Sequence, residues 1–261
     1  MQHDDFPVRT VWLVGAGPGD PELLTMKAVR LIEAADIIFY DALVGPGVLA
    51  LIPPHIERVS VGKRSGRHSK DQQSIDALLV AAAGAGRRVV RLKGGDPSLF
   101  ARAAEEMAAL RAAGHRVHIC PGITAASAAA ASAGVSMSLR GVARDVRFVT
   151  AHSRRSAALD IDWAALAASS ATLAFYMGRE AAGDIERGLL AGGMLAATPV
   201  LIACNISLPG EQQLSTRLDL LGLATRTLAA DAPTLILVGE AVRHAGRGQP
   251  VTVPATATTD E

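Results

Sequence analysis

Short apolar runs alternate with amphipathic stretches along this chain, and turns bearing glycine or proline separate nearly all of them. Residues 11–14 (VWLV) read as a buried strand. A helix over 25–34 follows, with Ala28, Leu31 and Ile32 on one face. Next come a strand at 37–40, a short helix at 43–52 stopped by Pro53-Pro54, and a strand at 57–61. Ser69, with Gln72 three residues on, has the form of a capping box for a helix at 71–83. A strand at 88–92, a helix at 103–113 stopped by Gly114, and a strand at 117–119 complete the first half. Strand and helix in alternation imply a mainly parallel sheet.

Pro121-Gly122-Ile123-Thr124 interrupts that rhythm. Residues 125–133, almost all Ala and Ser, read as a tightly packed helix. Beyond it the pattern predicts strands at 147–150, 172–176, 200–205 and 234–238, with helices at 181–190 and 218–230. The expected fold class is α/β: an N-terminal lobe over 8–121, a C-terminal lobe over 122–242, and a cleft between them. Residues 243–261 are rich in Thr, Ala and Pro and read as a flexible tail.

Composition narrows the choice of function. Of 261 residues, 49% are hydrophobic and 20% charged, which is a globular balance. Aromatics at 3% argue against a base-stacking platform, and a net charge of +1 supplies no field for nucleic acid or membrane. Neither partner is expected. Cys120 and Cys204 form no disulfide framework, and no His/Cys cluster has ligand spacing, so no metal is expected. The first ten residues lack the apolar core of a secretory signal, and no apolar run reaches membrane-spanning length, so the expected location is cytoplasmic.

The candidate chemistry sits in the turns that close the strands. Gly15-Ala16-Gly17-Pro18-Gly19-Asp20-Pro21 has part of a dinucleotide fingerprint, but Asp20 stands where the third glycine belongs, which argues against a Rossmann NAD site. Residues 62–70 carry Lys63, Arg64, Arg67, His68 and Lys70, either a solvated loop or a grip on an anionic substrate. In Lys93-Gly94-Gly95-Asp96-Pro97, two glycines let a ligand approach the backbone and Asp96 offers a fixed acceptor. A plain strand–helix turn with a capping Asp explains the same residues.

Taken in order, VGAGPGDPELLT, YDALV, VGKR, RLKGGDP, PGITAAS and FYMG make the chain resemble the tetrapyrrole (corrin/porphyrin) methyltransferase family, whose members use S-adenosylmethionine. The resemblance runs over roughly positions 10–240, as whole-domain homology would. It implies two α/β lobes with the cofactor in the cleft, S-adenosylhomocysteine as by-product, and a homodimer. Carried over position by position, it implies cofactor contacts at Pro18, Gly94, Gly95, Asp96, Leu99, Thr124, Ala125, Met177 and Ile206. On the substrate side it implies Asp41, Lys63, Arg102, Glu105 and Arg140. Arginine suits a macrocycle bearing carboxylates, since its planar fork binds each through two parallel bonds. Without the resemblance, Arg102 reads as a helix-surface residue paired with Glu105 or Glu106.

The implied reaction is C-methylation of uroporphyrinogen III at two ring carbons, giving precorrin-2 for sirohaem or cobalamin synthesis. Alternatives are another tetrapyrrole, a ribosomal RNA, or a cofactor-binding paralogue without catalysis. Departures from the family's pattern concern the substrate side: Ser98 for an aromatic, Ala103 and Ala104 for glycines, Leu139 for histidine, and Asn205-Ile206-Ser207 for Asn-Gly-Thr. Ala103, Ala104 and Leu139 are expected to leave less room and fewer donors for the macrocycle.

Overall fold

Period-two burial in the first half builds a parallel sheet covered on both faces. The computed structural model describes residues 6–62, 71–151 and 161–245. Strands β1 (Thr10–Gly15), β2 (Ile37–Tyr40), β3 (Glu57–Ser60), β4 (Val89–Lys93) and β5 (Arg116–Cys120) lie in the order β3-β2-β4-β1-β5. Every pairing among them is parallel. Trp12, Val14, Ile38, Val90 and Leu92 point to the face covered by helices α1 (Met26–Glu33) and α2 (Pro46–Ala50). Val11, Leu13, Ile37, Phe39 and Val89 point to the other, covered by α3 (Gln72–Gly84) and α4 (Ala103–Ala112).

The second sheet runs β6 (Val146–Thr150), β7 (Thr172–Tyr176), β10 (Thr234–Val238), β8 (Pro199–Cys204) and β9 (Gln212–Arg217) in spatial order. Only β6 and β7 pair in parallel; the other neighbours are antiparallel. Helices α6 (Trp163–Ala167), α7 (Ala182–Ala191) and α8 (Leu221–Arg226) pack on one face. Helix α5 (Ala125–Ser132) packs on the other, its small side chains admitting the close approach of Ala174, Leu201 and Leu235. Leu23 from the first half and Ile123 from the connecting segment join that same cluster, so α5 sits where the two sheets meet.

Local chemistry explains the boundaries. Thr25 caps α1 by accepting from the Ala28 amide at 3.1 Å, a bond of about 1 kcal/mol. Residues 41–44 form a turn closed by the Asp41 carboxylate, so α2 starts only at Pro46, where proline costs nothing. The cap of α3 is Asp71, accepting from Ser74 N at 2.8 Å, rather than Ser69, which lies outside the described residues. The helix expected over 218–230 is a single tight turn, Leu218–Leu220, followed by the shorter α8. Both cysteines are buried and free. Ala245 is buried and its carbonyl accepts from Ser215 Oγ at 3.0 Å; residues 246–261 lie outside the described residues.

Candidate active site

The C-terminal ends of β1, β4 and β5 meet backbone to backbone. Gly95 N donates to Gly17 O at 2.7 Å and Gly17 N returns the bond to Gly95 O at 3.2 Å. A methyl group on Gly122 would stand 2.3 Å from Gly95 O, and one on Gly15 would stand 2.5 Å from Gly122 Cα. Only glycine permits this three-loop joint. Gly95 itself has φ +72, and a side chain there would meet nothing within 4 Å. The joint thus braces the turn from behind and leaves its front open.

Asp96 ties the joint together. One of its oxygens accepts from Ser98 N at 2.7 Å and from Ser98 Oγ, and the other accepts from Gly122 N at 3.2 Å. The acceptor predicted for a ligand is therefore also the strut between two loops. Gly94 is confined differently: a methyl there would lie 2.5 Å from Leu43 Cβ. Leu99 closes the turn through its amide to Asp96 O at 3.2 Å and is half-buried.

The second lobe approaches this joint through two turns. Thr124 makes no capping bond to α5; its hydroxyl instead lies 2.5 Å from the Tyr176 hydroxyl, which also accepts from Ala126 N at 3.3 Å. Burial pushes the Tyr176 phenol up, so it stays protonated. Met177, next along, has φ +54 and is 48% exposed. Ile206 is buried between Asn205 at φ +50 and Ser207 at φ +58, two left-handed positions without glycine. Such conformations cost of order 1–3 kcal/mol each and persist where surroundings hold them. Here Ser207 Oγ accepts from Asp20 N at 3.0 Å and Leu208 fills the space above Gly19, which tie the turn to the Pro18 loop. Pro18, Gly94–Asp96, Thr124, Ala125, Met177 and Ile206 thus stand on turns that reach one another. Lys63 lies outside the described residues.

The substrate-side residues fall into two groups. Asp41 Oδ1 accepts from Leu43 N at 3.0 Å and Gly94 N at 3.4 Å, beside the glycine turn. Arg102 and Glu105 form an exposed two-point pair, Nε to Oε1 at 2.8 Å and Nη2 to Oε2 at 2.5 Å, as helix spacing predicts. That pairing raises the Arg102 guanidinium above its ordinary value. Arg140 is exposed, and among the described residues no hydrogen bond or ion pair ties it to Asp41, Arg102 or Glu105. Ala103, expected to crowd a macrocycle, is instead buried with Leu79 and Leu110, so its methyl faces the core. Leu139 is 45% exposed.

Sequence reasoning missed two features. Phe100 and Phe148 flank Tyr176, with centroids at 5.1 and 5.9 Å, and both are partly exposed, so an aromatic wall stands beside Met177. Glu106 is fully buried and holds Lys93 Nζ at 2.9 and 3.0 Å and Arg91 Nε at 3.2 Å. Burial pushes the Lys93 ammonium down, Arg91 adds to that push, and Glu106 opposes it. The signal was available: Arg91 and Lys93 alternate with Val90 and Leu92, which places two cations on one buried face and demands an acid opposite. Among the described residues no cluster of three or more His, Cys, Asp or Glu could hold a metal, and no helix is long and apolar enough to cross a membrane.

The sequence profile of the Tetrapyrrole (Corrin/Porphyrin) Methylases matches residues 10–221. The chain belongs to this family. It is 47% identical to the uroporphyrinogen-III C-methyltransferase of Paracoccus denitrificans over 87% of its own length and 79% of that protein. It is 44% identical to the siroheme synthase of Gluconacetobacter diazotrophicus, of which it spans 50%. The uroporphyrin-III C-methyl transferase of Thermus thermophilus, solved in complex with S-adenyl homocysteine, superposes with a TM-score of 0.76 at 37% identity, covering 90% of this chain and 99% of that one. A cobalt precorrin-4 methyltransferase superposes with a TM-score of 0.80 at 27% identity, covering 90% and 96%. The tetrapyrrole methylase fold, expected from the turn motifs, is the fold observed.

Proposed function

We propose that this chain is an S-adenosylmethionine-dependent methyltransferase that methylates uroporphyrinogen III at two ring carbons to give precorrin-2. The observation that carries this reading is the braced, open turn at Gly95, in a chain 37% identical to a structure complexed with S-adenyl homocysteine. The residues present suit that cofactor. The turn exposes backbone where no side chain stands, and Asp96 keeps lone pairs beyond those bonded to Ser98 and Gly122. Met177 and Leu99 offer an apolar wall, and Pro18, Gly94, Thr124, Ala125 and Ile206 complete the set. The bound cofactor supplies an electrophilic methyl group on a sulfonium.

The chain's own residues then have three tasks. The aromatic wall of Phe100, Tyr176 and Phe148 offers apolar surface to the pyrrole rings of the macrocycle and excludes water. Arg102, Arg140 and Lys63 meet its carboxylates; Arg102 is exposed enough to share its fork between Glu105 and a substrate oxygen. Glu105 or Asp41 accepts the proton that the methylated ring must lose. The cleft lies between lobes 8–121 and 122–242, and the enzyme works as a cytoplasmic homodimer with neither nucleic acid nor membrane as partner. Its product serves sirohaem and cobalamin synthesis.

Calorimetry with S-adenosylhomocysteine tests the site. The wild type binds. Gly95→Ala, which adds a methyl where no protein atom stands, binds weakly while melting about 2–8 °C lower, since a left-handed alanine costs about 1–2 kcal/mol. Equal affinity in the two proteins would remove the ligand from this turn.

A further inference from the structure

We infer that Glu106 is a positioning residue of the site: from beneath the glycine turn it holds Arg91, and through Arg91 it sets the Asp41 carboxylate and the two amides that carboxylate binds. The inference rests on the reading of Asp41 as a site residue. Glu106 is fully buried on α4, with Lys93 on both of its oxygens, Arg91 Nε at 3.2 Å and Gln72 Nε2 at 3.4 Å. The same Arg91 guanidinium reaches Asp41, with Nη2 3.7 Å from Oδ2. A third arm, Nη1, donates to Leu92 O at 2.9 Å and fixes the fork in its plane.

Two cations and two carboxylates balance in this cluster. Three of the four are almost completely buried, and only Asp41 is partly open. Buried ion clusters are weak sources of stability, because apolar replacements of like volume are often neutral or better. Stability alone therefore gives no reason for charges here. The connection does: Glu106, Lys93 and Arg91 link α4 to Asp41 and the turns after β2 and β4 through groups whose charges fix distance and direction. Asp41 in turn holds Leu43 N at 3.0 Å and Gly94 N at 3.4 Å, the edge of the open turn. Without Glu106, Arg91 and Lys93 would both turn to Asp41 and pull it from those amides.

Glu106→Gln leaves two buried cations against one carboxylate and risks misfolding. The charge-balanced double variant Lys93→Met/Glu106→Gln avoids this. Amide hydrogen exchange followed by NMR then reads the positioning without any substrate. The amides of Leu43 and Gly94 should exchange about tenfold faster or more, as loss of a bond to a charged group implies, while Val11 and Leu13 in the core stay unchanged. Uniform acceleration at all four amides, or no change at Leu43 and Gly94, would overturn the inference. With uroporphyrinogen III, the double variant should lose kcat with little change in KM and no loss of melting temperature. Added to Asp41→Asn it should cost nothing further, whereas full additivity would assign Glu106 an effect independent of Asp41. A wild type that fails to methylate uroporphyrinogen III would sink the substrate reading, and the exchange result would still decide the role of Glu106.

Discussion

Replacing Gly122 by alanine should push the added methyl straight into the backbone of the glycine joint and damage the site. The added carbon would lie 2.3 Å from Gly95 O, 2.8 Å from Gly15 Cα and 2.9 Å from Gly15 C, all backbone atoms. None can rotate away, so Gly95 must retreat by about 1 Å to reach ordinary van der Waals separation. Overpacking of this kind costs about 1–3 kcal/mol, and rigid neighbours place it near the upper limit. At roughly 2–4 °C per kcal/mol for a domain of this size, melting should fall by about 6–12 °C. The displacement also strains the bond from Gly122 N to Asp96 Oδ2, so the open turn itself moves. A misplacement of about 1 Å can cost a hundredfold in rate, and turnover should fall on that order even well below the melting point. Gly84→Ala is the control: its methyl would meet only His115 Nε2, at 3.9 Å, and should leave stability equal or higher by about 0.4–1 kcal/mol. Calorimetric melting and S-adenosylhomocysteine titration of both variants make the comparison. If Gly122→Ala matched the wild type in melting and affinity, the three-loop joint would not be what holds the turn.

Asp96→Ala should lower S-adenosylhomocysteine affinity and melting temperature together, since it removes both a strut and an acceptor, each bond to a charged group being worth about 1.5–3 kcal/mol; loss of affinity with full stability would assign it to the ligand alone. Arg102→Ala should keep cofactor affinity by calorimetry and lose tetrapyrrole turnover, with stability changed by no more than about 1 kcal/mol because its pair with Glu105 is exposed; equal loss of cofactor binding would place it in the wrong pocket. Ala103→Gly should not widen the site, since its methyl packs in the core; turnover should not rise, and melting should fall in line with about 1 kcal/mol of helix propensity. Asp36 sits below its ordinary value chiefly because Arg88 hydrogen-bonds its carboxylate. The pair's contribution is therefore present above the ordinary aspartate range and lost as pH falls through the lowered value. The melting difference between wild type and Arg88→Leu should be largest near neutrality and narrow in acid; a gap independent of pH would contradict the pairing.

The sequence displayed the centre of the first sheet plainly, because β1, β2 and β4 are largely apolar runs that end in polar or glycine turns and lead into helical periods. Strand β9, QQLSTR, was invisible for the opposite reason: it is an edge strand with one apolar residue, and its pairing with β8 rather than its own pattern makes it a strand. The helix over 218–230 was overdrawn because apolar spacing continues past the point where the chain turns. On the site, glycines spoke loudly. Their spacing marked the loops that touch, though not that Gly15, Gly95 and Gly122 touch one another, since that contact depends on strand order. Aromatic residues spoke least. Phe100 and Phe148 are 48 positions apart, and only the packing of both on Tyr176 joins them.

The most direct measurement is mass analysis of uroporphyrinogen III incubated anaerobically with the purified chain and S-adenosylmethionine. Monomethylated product should appear first and convert to the dimethylated species, with S-adenosylhomocysteine formed in equal amount to the methyl groups transferred. Cofactor binding without any methyl reaching the macrocycle, under conditions where a family member is active, would contradict the proposed reaction.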